Sequence, residues 1–192
     1  MTSVTIIGTG NMANAIGGVL AKGGASVGYV SREEAGTAPV TGDVVVLAVP
    51  YPALAGLAEA YRDQLAGKVV VDITNPLDFS TFDSLVVPAG SSAAAELQAA
   101  LPGARVVKAF NTTFAATLAS GQVGANTTTV LVAGDDAGAK ATLVEAVKAG
   151  GLQAIDAGSL ARAHELEALG FLQLTLAAGE KISWTGGFAV VS

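Results

Sequence analysis

Short apolar runs alternate with amphipathic stretches along the whole 192-residue chain. Residues 44–49 form one continuous apolar run, mostly β-branched, which is typical of a strand buried on both faces of a sheet. Residues 11–22 instead carry apolar side chains at helical spacing, and two glycines that can end a helix follow them. Continued along the chain, the pattern predicts strands at 4–7, 26–30, 44–49, 68–71, 105–109, 128–133 and 152–155, and helices at 11–22, 53–65, 92–101, 112–120, 136–148 and 159–179.

This repeated strand–helix order predicts an α/β protein with a Rossmann-type, doubly wound and mostly parallel sheet, followed by a short C-terminal helical segment. Asp135 or Asp136 is expected to cap the fifth helix, and Ser159 the last one. The stretch from Asn75 to Gly90 follows neither period, so we expect a loop there, at the functional edge of the sheet.

The composition excludes several classes of function. Hydrophobic residues make up 51% of the chain and charged residues 14%, against about 25% charged in an average domain. A net charge of −6 with ten Lys and Arg provides no basic stripe for a nucleic acid. The lack of Cys excludes thiolate chemistry, and a single His excludes a His-rich metal site, so we expect no metal. Without a basic leader or a run of about 18 apolar residues, we expect a cytoplasmic protein with no membrane partner.

The motif Gly8-Thr9-Gly10-Asn11-Met12-Ala13 lies between the first predicted strand and the first predicted helix. In a G-x-G-x-x-A motif the first glycine permits a tight turn, the second lets a pyrophosphate approach the backbone, and the small last residue packs the helix on the strand. Free N–H groups at the helix N-terminus favour an anion. The motif therefore predicts a dinucleotide site in a domain spanning residues 1–157. A glycine turn of another α/β fold is the alternative.

The end of the second predicted strand bears on which dinucleotide binds. An NAD site usually places an acid there, whereas an arginine suits a 2′-phosphate. Here Ser31 and Arg32 follow the strand, and Glu33 and Glu34 come later. Ser31 can donate from its hydroxyl and Arg32 from its guanidinium, so we predict NADP(H). The alternative is a solvated Arg32, with Glu33 reaching the ribose.

Polar or turn-forming residues also follow the later strands, at the same edge of the sheet. The backbone of Ala48, Val49 and Pro50 is expected beside the ribose and nicotinamide. Asn75-Pro76 and Asn111-Thr112 either orient the carboxamide or the acceptor, or cap their own loops. Tyr51 either lines the pocket or packs on its own loop, and Asp72 is expected to cap a loop.

No acid–base constellation stands out, so we assign no catalytic residue. None of the three tyrosines has Lys four residues later, and His164 is a lone helical histidine that fits a surface or interface position better than a general acid. Ketone reduction usually needs a proton donor, whereas hydride transfer between two rings needs mainly alignment. Because little chain follows the last strand, the acceptor pocket should be shallow, which suits a flat ring.

The chain resembles the F420-dependent NADP oxidoreductases and is similar, too, to the related reductase domain of the STEAP metalloreductases. The resemblance is carried by Gly8-Thr9-Gly10-Asn11-Met12, Ser31-Arg32, Val49-Pro50-Tyr51, Asn75-Pro76-Leu77, Lys108-Ala109-Phe110-Asn111-Thr112, Gly134-Asp135-Asp136 and Asp156-Ala157-Gly158-Ser159-Leu160. It implies that Thr9, Asn11, Met12, Ser31 and Arg32 hold the phosphates of NADP and that Val49 and Pro50 flank the nicotinamide ribose. It also implies a homodimer.

The resemblance further implies hydride transfer between NADPH and the deazaflavin coenzyme F420. Residues 158–192 would then form a C-terminal helix and tail that pack on the domain and on the dimer partner, with the apolar tail 186–191 near the deazaflavin. Reduction of another acceptor (a flavin, an imine or an activated alkene) and a non-catalytic NADP-binding regulator are the alternatives.

Overall fold

The computed structural model describes residues 2–191. Met1, the first residue of the predicted domain 1–157, and Ser192, the last residue of the predicted segment 158–192, lie outside the described residues. Seven strands form one sheet in the order β2-β1-β3-β4-β5-β8-β9, and β6 and β7 form a separate hairpin. The strands are β1 (Ser3–Ile7), β2 (Ser26–Val30), β3 (Val44–Leu47), β4 (Val69–Asp72), β5 (Arg105–Lys108), β6 (Gln122–Val123), β7 (Asn126–Thr127), β8 (Thr129–Gly134) and β9 (Gln153–Gly158).

The sheet is mostly parallel, as predicted. Strands β1 to β5 pair in parallel, and β9 pairs in parallel with β8. Only the β5–β8 junction is antiparallel, through the register pairs Val107–Gly134 and Lys108–Ala133. Gly134 permits the close approach there, because a Cβ atom at this position would lie 3.2 Å from the Val106 carbonyl oxygen.

Six helices cover the sheet: α1 (Asn11–Lys22), α2 (Leu54–Leu65), α3 (Ala93–Ala100), α4 (Ala115–Ser120), α5 (Ala137–Ala149) and α6 (Ala163–Ala178). One core lies between the sheet and helices α1 and α5, and a second lies between the sheet and helices α2 and α3. Side chains that alternate along β3 show how one apolar run contributes to both cores. Val44 and Val46 enter the first core, and Val45 and Leu47 enter the second. The sequence-based prediction of a Rossmann-type α/β fold is therefore confirmed.

Several boundaries differ from the predicted ones. Helix α4 begins at Ala115 rather than Thr112, because the chain first makes a turn in which Phe110 has a positive φ of 64°. The last helix begins at Ala163, after a 3₁₀ turn at Leu160–Arg162, and the Ser159 side chain caps neither. Asp136, in contrast, caps α5 by accepting a hydrogen bond from the Ala139 N–H, 2.7 Å away.

The strand order places a crevice at the glycine motif between β1 and α1. Strand β1 has β2 on one side and β3 on the other, so the chain changes direction across the sheet at this point. In doubly wound sheets ligands bind beyond the carboxyl ends of the strands at such a switch point. Residues 75–90, expected to form a loop, contain no helix and only the isolated bridge Leu77–Leu85.

Candidate active site

The turn between β1 and α1 has the geometry that its glycines predict. Gly8 has φ 123°, and a Cβ atom there would overlap the Ala48 carbonyl oxygen, so only glycine fits. At Gly10 no atom lies within 4 Å of the position a Cβ would take, which leaves the backbone open to a ligand. Ala13 is fully buried against the sheet. No side chain caps the N-terminus of α1, so its first N–H groups can bind an anion.

Ser31 and Arg32 follow β2 directly, next to this turn. The Gly8 N–H donates to the Val30 carbonyl, 2.9 Å away, which ties the end of β2 to the glycine turn. Arg32 is exposed, and within residues 2–191 its guanidinium forms no ion pair. The Ser31 N–H donates to Glu34 Oε2, 3.1 Å away. The hydrogen bonds from Ser31 lower the pKa of Glu34.

A cavity of about 440 Å³ opens beside the N-terminus of α1, beyond the carboxyl ends of β4 and β5. Four predicted site residues contribute to its walls: Asn11, Met12, Asn75 and Asn111. The remaining walls are mainly apolar and come from Ile73, Thr113, Phe114, Ala115, Ala116, Leu174 and Trp184. None of these eleven side chains ionises in the ordinary pH range.

The other predicted site residues lie at the same edge but outside this cavity. Ala48 is joined to β1 by the hydrogen bond from its N–H to the Ile7 carbonyl, 2.9 Å away, and it continues with Val49 and Pro50 towards the surface. Pro76 is buried. Thr112 is also buried, and its carbonyl accepts a hydrogen bond from Gln173 Nε2 of α6 at 3.2 Å. Its contact with α6 therefore uses the backbone rather than the hydroxyl.

Asn75 and Asn111 hold each other and helix α6. Asn111 Nδ2 donates to Asn75 Oδ1 at 2.9 Å and to the Leu166 carbonyl at 2.8 Å, and Asn75 Nδ2 donates to the Asn111 carbonyl at 2.8 Å. Gly170 lets α6 approach, because a Cβ there would overlap Asn75 Oδ1. Both donor hydrogens of the Asn111 amide are thus used, whereas its Oδ1 is buried and has no hydrogen-bond partner within residues 2–191.

A fully buried ion cluster lies behind this asparagine pair. Lys108 Nζ contacts Asp72 Oδ2 at 2.9 Å and Glu167 Oε1 at 2.7 Å, and donates to the Thr74 carbonyl at 2.6 Å. All three ammonium hydrogens therefore have acceptors. Asp72 Oδ1 also accepts from the Thr74 N–H at 2.8 Å, which is the loop-capping role expected for it.

Glu167 extends this cluster to helix α3. Its carboxylate accepts from the N–H groups of Ala93, at 2.9 Å, and Ala94, at 3.3 Å, so one side chain of α6 joins β5 to the N-terminus of α3. Burial raises the pKa of Glu167, and the neighbouring Lys108 opposes this shift. Lys108 and Glu167 were not identified as functional residues from the sequence. The available signal was Lys108 directly after the two valines of a predicted buried strand, since a buried lysine needs a partner.

The C-terminal tail closes one side of the cavity. Buried Gln173 accepts from the Phe188 N–H at 3.1 Å, in addition to donating to Thr112. The rings of Phe114 and Trp184 lie 5.0 Å apart, centre to centre, and both line the cavity. The tail is therefore held to the sheet edge through α6 and presents an aromatic ring to the pocket.

Tyr51 and His164 lie outside the cavity wall. The Tyr51 hydroxyl donates to Glu96 Oε2 at 2.7 Å, and this hydrogen bond, with burial, raises the pKa of Tyr51 to about 12. His164 Nδ1 lies 3.0 Å from the Ser91 carbonyl oxygen, next to α3. Tyr51 thus connects the segment before α2 to α3, and His164 connects α6 to the segment before α3.

Neither a metal centre nor a membrane span is found among residues 2–191. They contain no group of three or more His, Cys, Asp or Glu side chains placed to hold a metal ion. None of their helices has the length and apolar character needed to cross a bilayer.

The sheet order and the glycine turn at its switch point define a Rossmann-type dinucleotide-binding protein. A sequence profile of the family described as NADP oxidoreductase, coenzyme F420-dependent, matches residues 33–76. The chain is 35% identical over 184 residues to metalloreductase STEAP3 of Rattus norvegicus, covering 86% of this chain and 36% of that protein. It is 32% identical over 149 residues to the F420-dependent NADP reductase of Methanocaldococcus jannaschii, covering 76% of this chain and 66% of that reductase.

A solved structure matches over the full length. A crystal structure from Arthrobacter sp. FB24, assigned as an F420-dependent NADP reductase, superposes with a TM-score of 0.84 at 26% identity, covering 100% of both chains. The chain is thus similar to F420-dependent NADP oxidoreductases in sequence and in fold. The family resemblance inferred from the sequence is therefore confirmed. The chain spans 36% of the length of the rat metalloreductase and 66% of the length of the Methanocaldococcus jannaschii reductase, less than two thirds of each.

Proposed function

We propose that this protein binds NADP(H) and catalyses hydride transfer between it and a flat ring acceptor, coenzyme F420. The observation that carries the proposal is the 440 Å³ cavity beside the glycine turn, whose walls include two aromatic rings and no ionisable side chain. Such walls can align and desolvate two rings but cannot supply a proton to a ketone oxygen. The family relationship favours F420 among ring acceptors.

The residues at the switch point fit the cofactor. The open backbone at Gly10 and the uncapped N-terminus of α1 suit a pyrophosphate. The exposed Arg32, which has no ion-pair partner among residues 2–191, suits a 2′-phosphate. NADPH would supply the hydride when bound.

The protein's own contribution in this proposal is positioning and exclusion of water. Met12, Leu174, Phe114 and Trp184 give the cavity apolar walls. Asn75 and Asn111 are fixed by three hydrogen bonds, so no amide has to reorganise when a ligand enters.

Mixing the protein with NADPH and F420 and following the deazaflavin absorbance band tests the acceptor. Loss of the band, with NADPH preferred over NADH, supports the proposal. Tight NADPH binding without loss of the band would overturn F420 as acceptor, and NADPH oxidation by a flavin, an imine or an activated alkene would then identify the acceptor class. Binding without turnover of any of these would indicate a regulator.

Trp184→Ala tests the cavity as the acceptor site. Because the variant loses a stacking surface, we expect the KM for the acceptor to rise about tenfold, which corresponds to the upper end of the free energy of an aromatic contact. The affinity for NADPH should change less. Phe79→Ala is a matched control, since Phe79 is an exposed aromatic residue that does not line the cavity. Equal effects of the two substitutions on acceptor KM would count against this location.

The proposal includes a homodimer formed through α6 and the tail. Five large apolar side chains are exposed there: Leu172, Trp184, Phe188, Val190 and Val191. Apolar surface concentrated in one segment is typical of an interface. Light scattering should give twice the chain mass, and Leu172→Asp should shift the protein towards the monomer. A monomeric wild-type protein at micromolar concentration would contradict this part.

A further inference from the structure

The donors at the end of β2 hold a carboxylate of the same chain. The Ser31 N–H donates to Glu34 Oε2 at 3.1 Å, across a four-residue turn with the sequence Ser-Arg-Glu-Glu. A glutamate three residues after a serine commonly reaches back to its N–H in this way. The carboxylate of Glu34 thus lies at the end of β2, where the fold would receive the 2′ position of a bound dinucleotide.

A carboxylate and a phosphate are both anionic acceptors, and they need the same donors. A 2′-phosphate at the end of β2 would use the N–H or hydroxyl of Ser31 together with the Arg32 guanidinium. Arg32 forms no ion pair within the part of the chain that the structure describes, although two glutamates follow it directly. Arg32 is therefore available to the phosphate, whereas the Ser31 N–H is already engaged.

We propose that Glu34 is a specificity-determining residue of the NADP site: its carboxylate occupies the Ser31 donor and must release it before a 2′-phosphate binds. The proposal rests on the function proposed above. Glu34 thereby reduces the preference for NADPH over NADH, because only the phosphorylated cofactor has to displace it. Substitution that removes its charge should tighten the binding of 2′-phosphorylated ligands alone.

Glu34→Gln is the informative variant, and Glu33→Gln is its matched control. Glutamine keeps an oxygen that accepts from the Ser31 N–H and so preserves the turn, but it removes the negative charge. Glu33→Gln changes the charge of the same loop equally, although no side-chain hydrogen bond joins Glu33 to Ser31 within residues 2–191. A general effect of loop charge would appear in both variants. Easier displacement from the Ser31 N–H, which a neutral amide oxygen holds less strongly than a carboxylate, would appear in Glu34→Gln alone.

Calorimetric titration with adenosine 2′,5′-bisphosphate and with adenosine 5′-monophosphate isolates the 2′-phosphate. We expect Glu34→Gln to bind the bisphosphate about fivefold more tightly than wild type, an ordinary size for a screened surface charge, and to bind the monophosphate equally. Glu33→Gln should stay within about twofold of wild type for both ligands. NADPH and NADH, titrated in the same way, should repeat this pattern.

Two results would overturn the inference. If both variants bound the bisphosphate more tightly by the same factor, the effect would come from the charge of the loop in general and not from Glu34 in particular. Weaker binding of NADH or of either nucleotide by Glu34→Gln would mean that the carboxylate accepts from the ribose. Failure of the wild-type protein to bind NADPH would instead refute the proposed function itself, and is seen before any variant is compared.

Discussion

The two halves of the functional edge are built in opposite ways. Around β1 and β2 the donors are backbone N–H groups and exposed side chains. Gly10 has open space beside it, and Arg32 has no ion-pair partner in the described part of the chain. Around β4, β5 and α6 the polar groups are buried and bound to one another, with Lys108 at the centre. The first half can respond to a ligand, whereas the second half is part of what holds the fold together. Substitutions should therefore affect binding in one half and stability in the other.

Lys108→Met should give the largest effect. It leaves Asp72 and Glu167 buried beside each other without their cation, and removing one partner of a buried ion pair costs about 3–5 kcal/mol. Denaturation by urea at neutral pH measures this loss of unfolding free energy. A loss below about 1 kcal/mol would show that the cluster does not hold the edge together.

Arg32→Ala should weaken NADPH binding by about 1.5–3 kcal/mol, the size of a hydrogen bond to a charged group, and leave NADH binding and stability unchanged. Arg62→Ala provides the control, since Arg62 is an exposed arginine on α2. Fluorescence titration with both cofactors checks the prediction. If the wild-type protein bound NADPH and NADH with equal affinity, this would contradict the premise that Arg32 contacts the 2′-phosphate.

Gly170→Ala should destabilise the protein by about 1–3 kcal/mol, the usual cost of forcing an extra group into a packed contact. The new methyl group would overlap Asn75 Oδ1 and lie 2.9 Å from the Asn111 carbonyl oxygen. Gly18→Ala on α1 is the control, because its Cβ meets no atom within 4 Å. The control should gain up to about 1 kcal/mol from helix propensity. Similar melting temperatures for the two variants would argue against tight docking of α6.

Glu167→Gln should have a smaller effect, visible as a change in the pH dependence of stability. Because burial raises the pKa of Glu167 above its ordinary 4.5, folding favours the protonated form. That stabilisation is complete below pH 4.5 and is lost as the pH rises through the raised pKa. The glutamine variant does not have this loss, so its stability relative to wild type should improve over the same range.

Urea denaturation at several pH values between about 4 and 8 measures the effect of Glu167→Gln. Glu165→Gln, in the exposed pair with Arg162, should change the unfolding free energy by less than about 1 kcal/mol throughout. If the stability of Glu167→Gln relative to wild type instead fell with rising pH, the pKa of Glu167 would be lowered by folding rather than raised.

The same contrast explains what the sequence could predict. The glycine turn and the strand predicted at 44–49 depend on residues close together in the chain. The structure has both, although the strand ends at Leu47. Lys108 and Glu167 are 59 positions apart, and only the docking of α6 brings them together. Helix α4 begins later than predicted because Phe110 has a positive φ. Nothing in the local sequence indicates this backbone conformation, since Phe110 is a buried phenylalanine and not a glycine. The hairpin of β6 and β7 has two residues in each strand, too few for a periodic pattern.

The make-up of the cavity wall has a consequence for kinetics. No side chain that lines it changes protonation in the ordinary pH range. Within the range where the fold is stable, a pH–rate profile of a reaction confined to this space would have no inflection from the wall itself. Any inflection would belong to the reactants, and its midpoint would help to identify the acceptor from its own acidity.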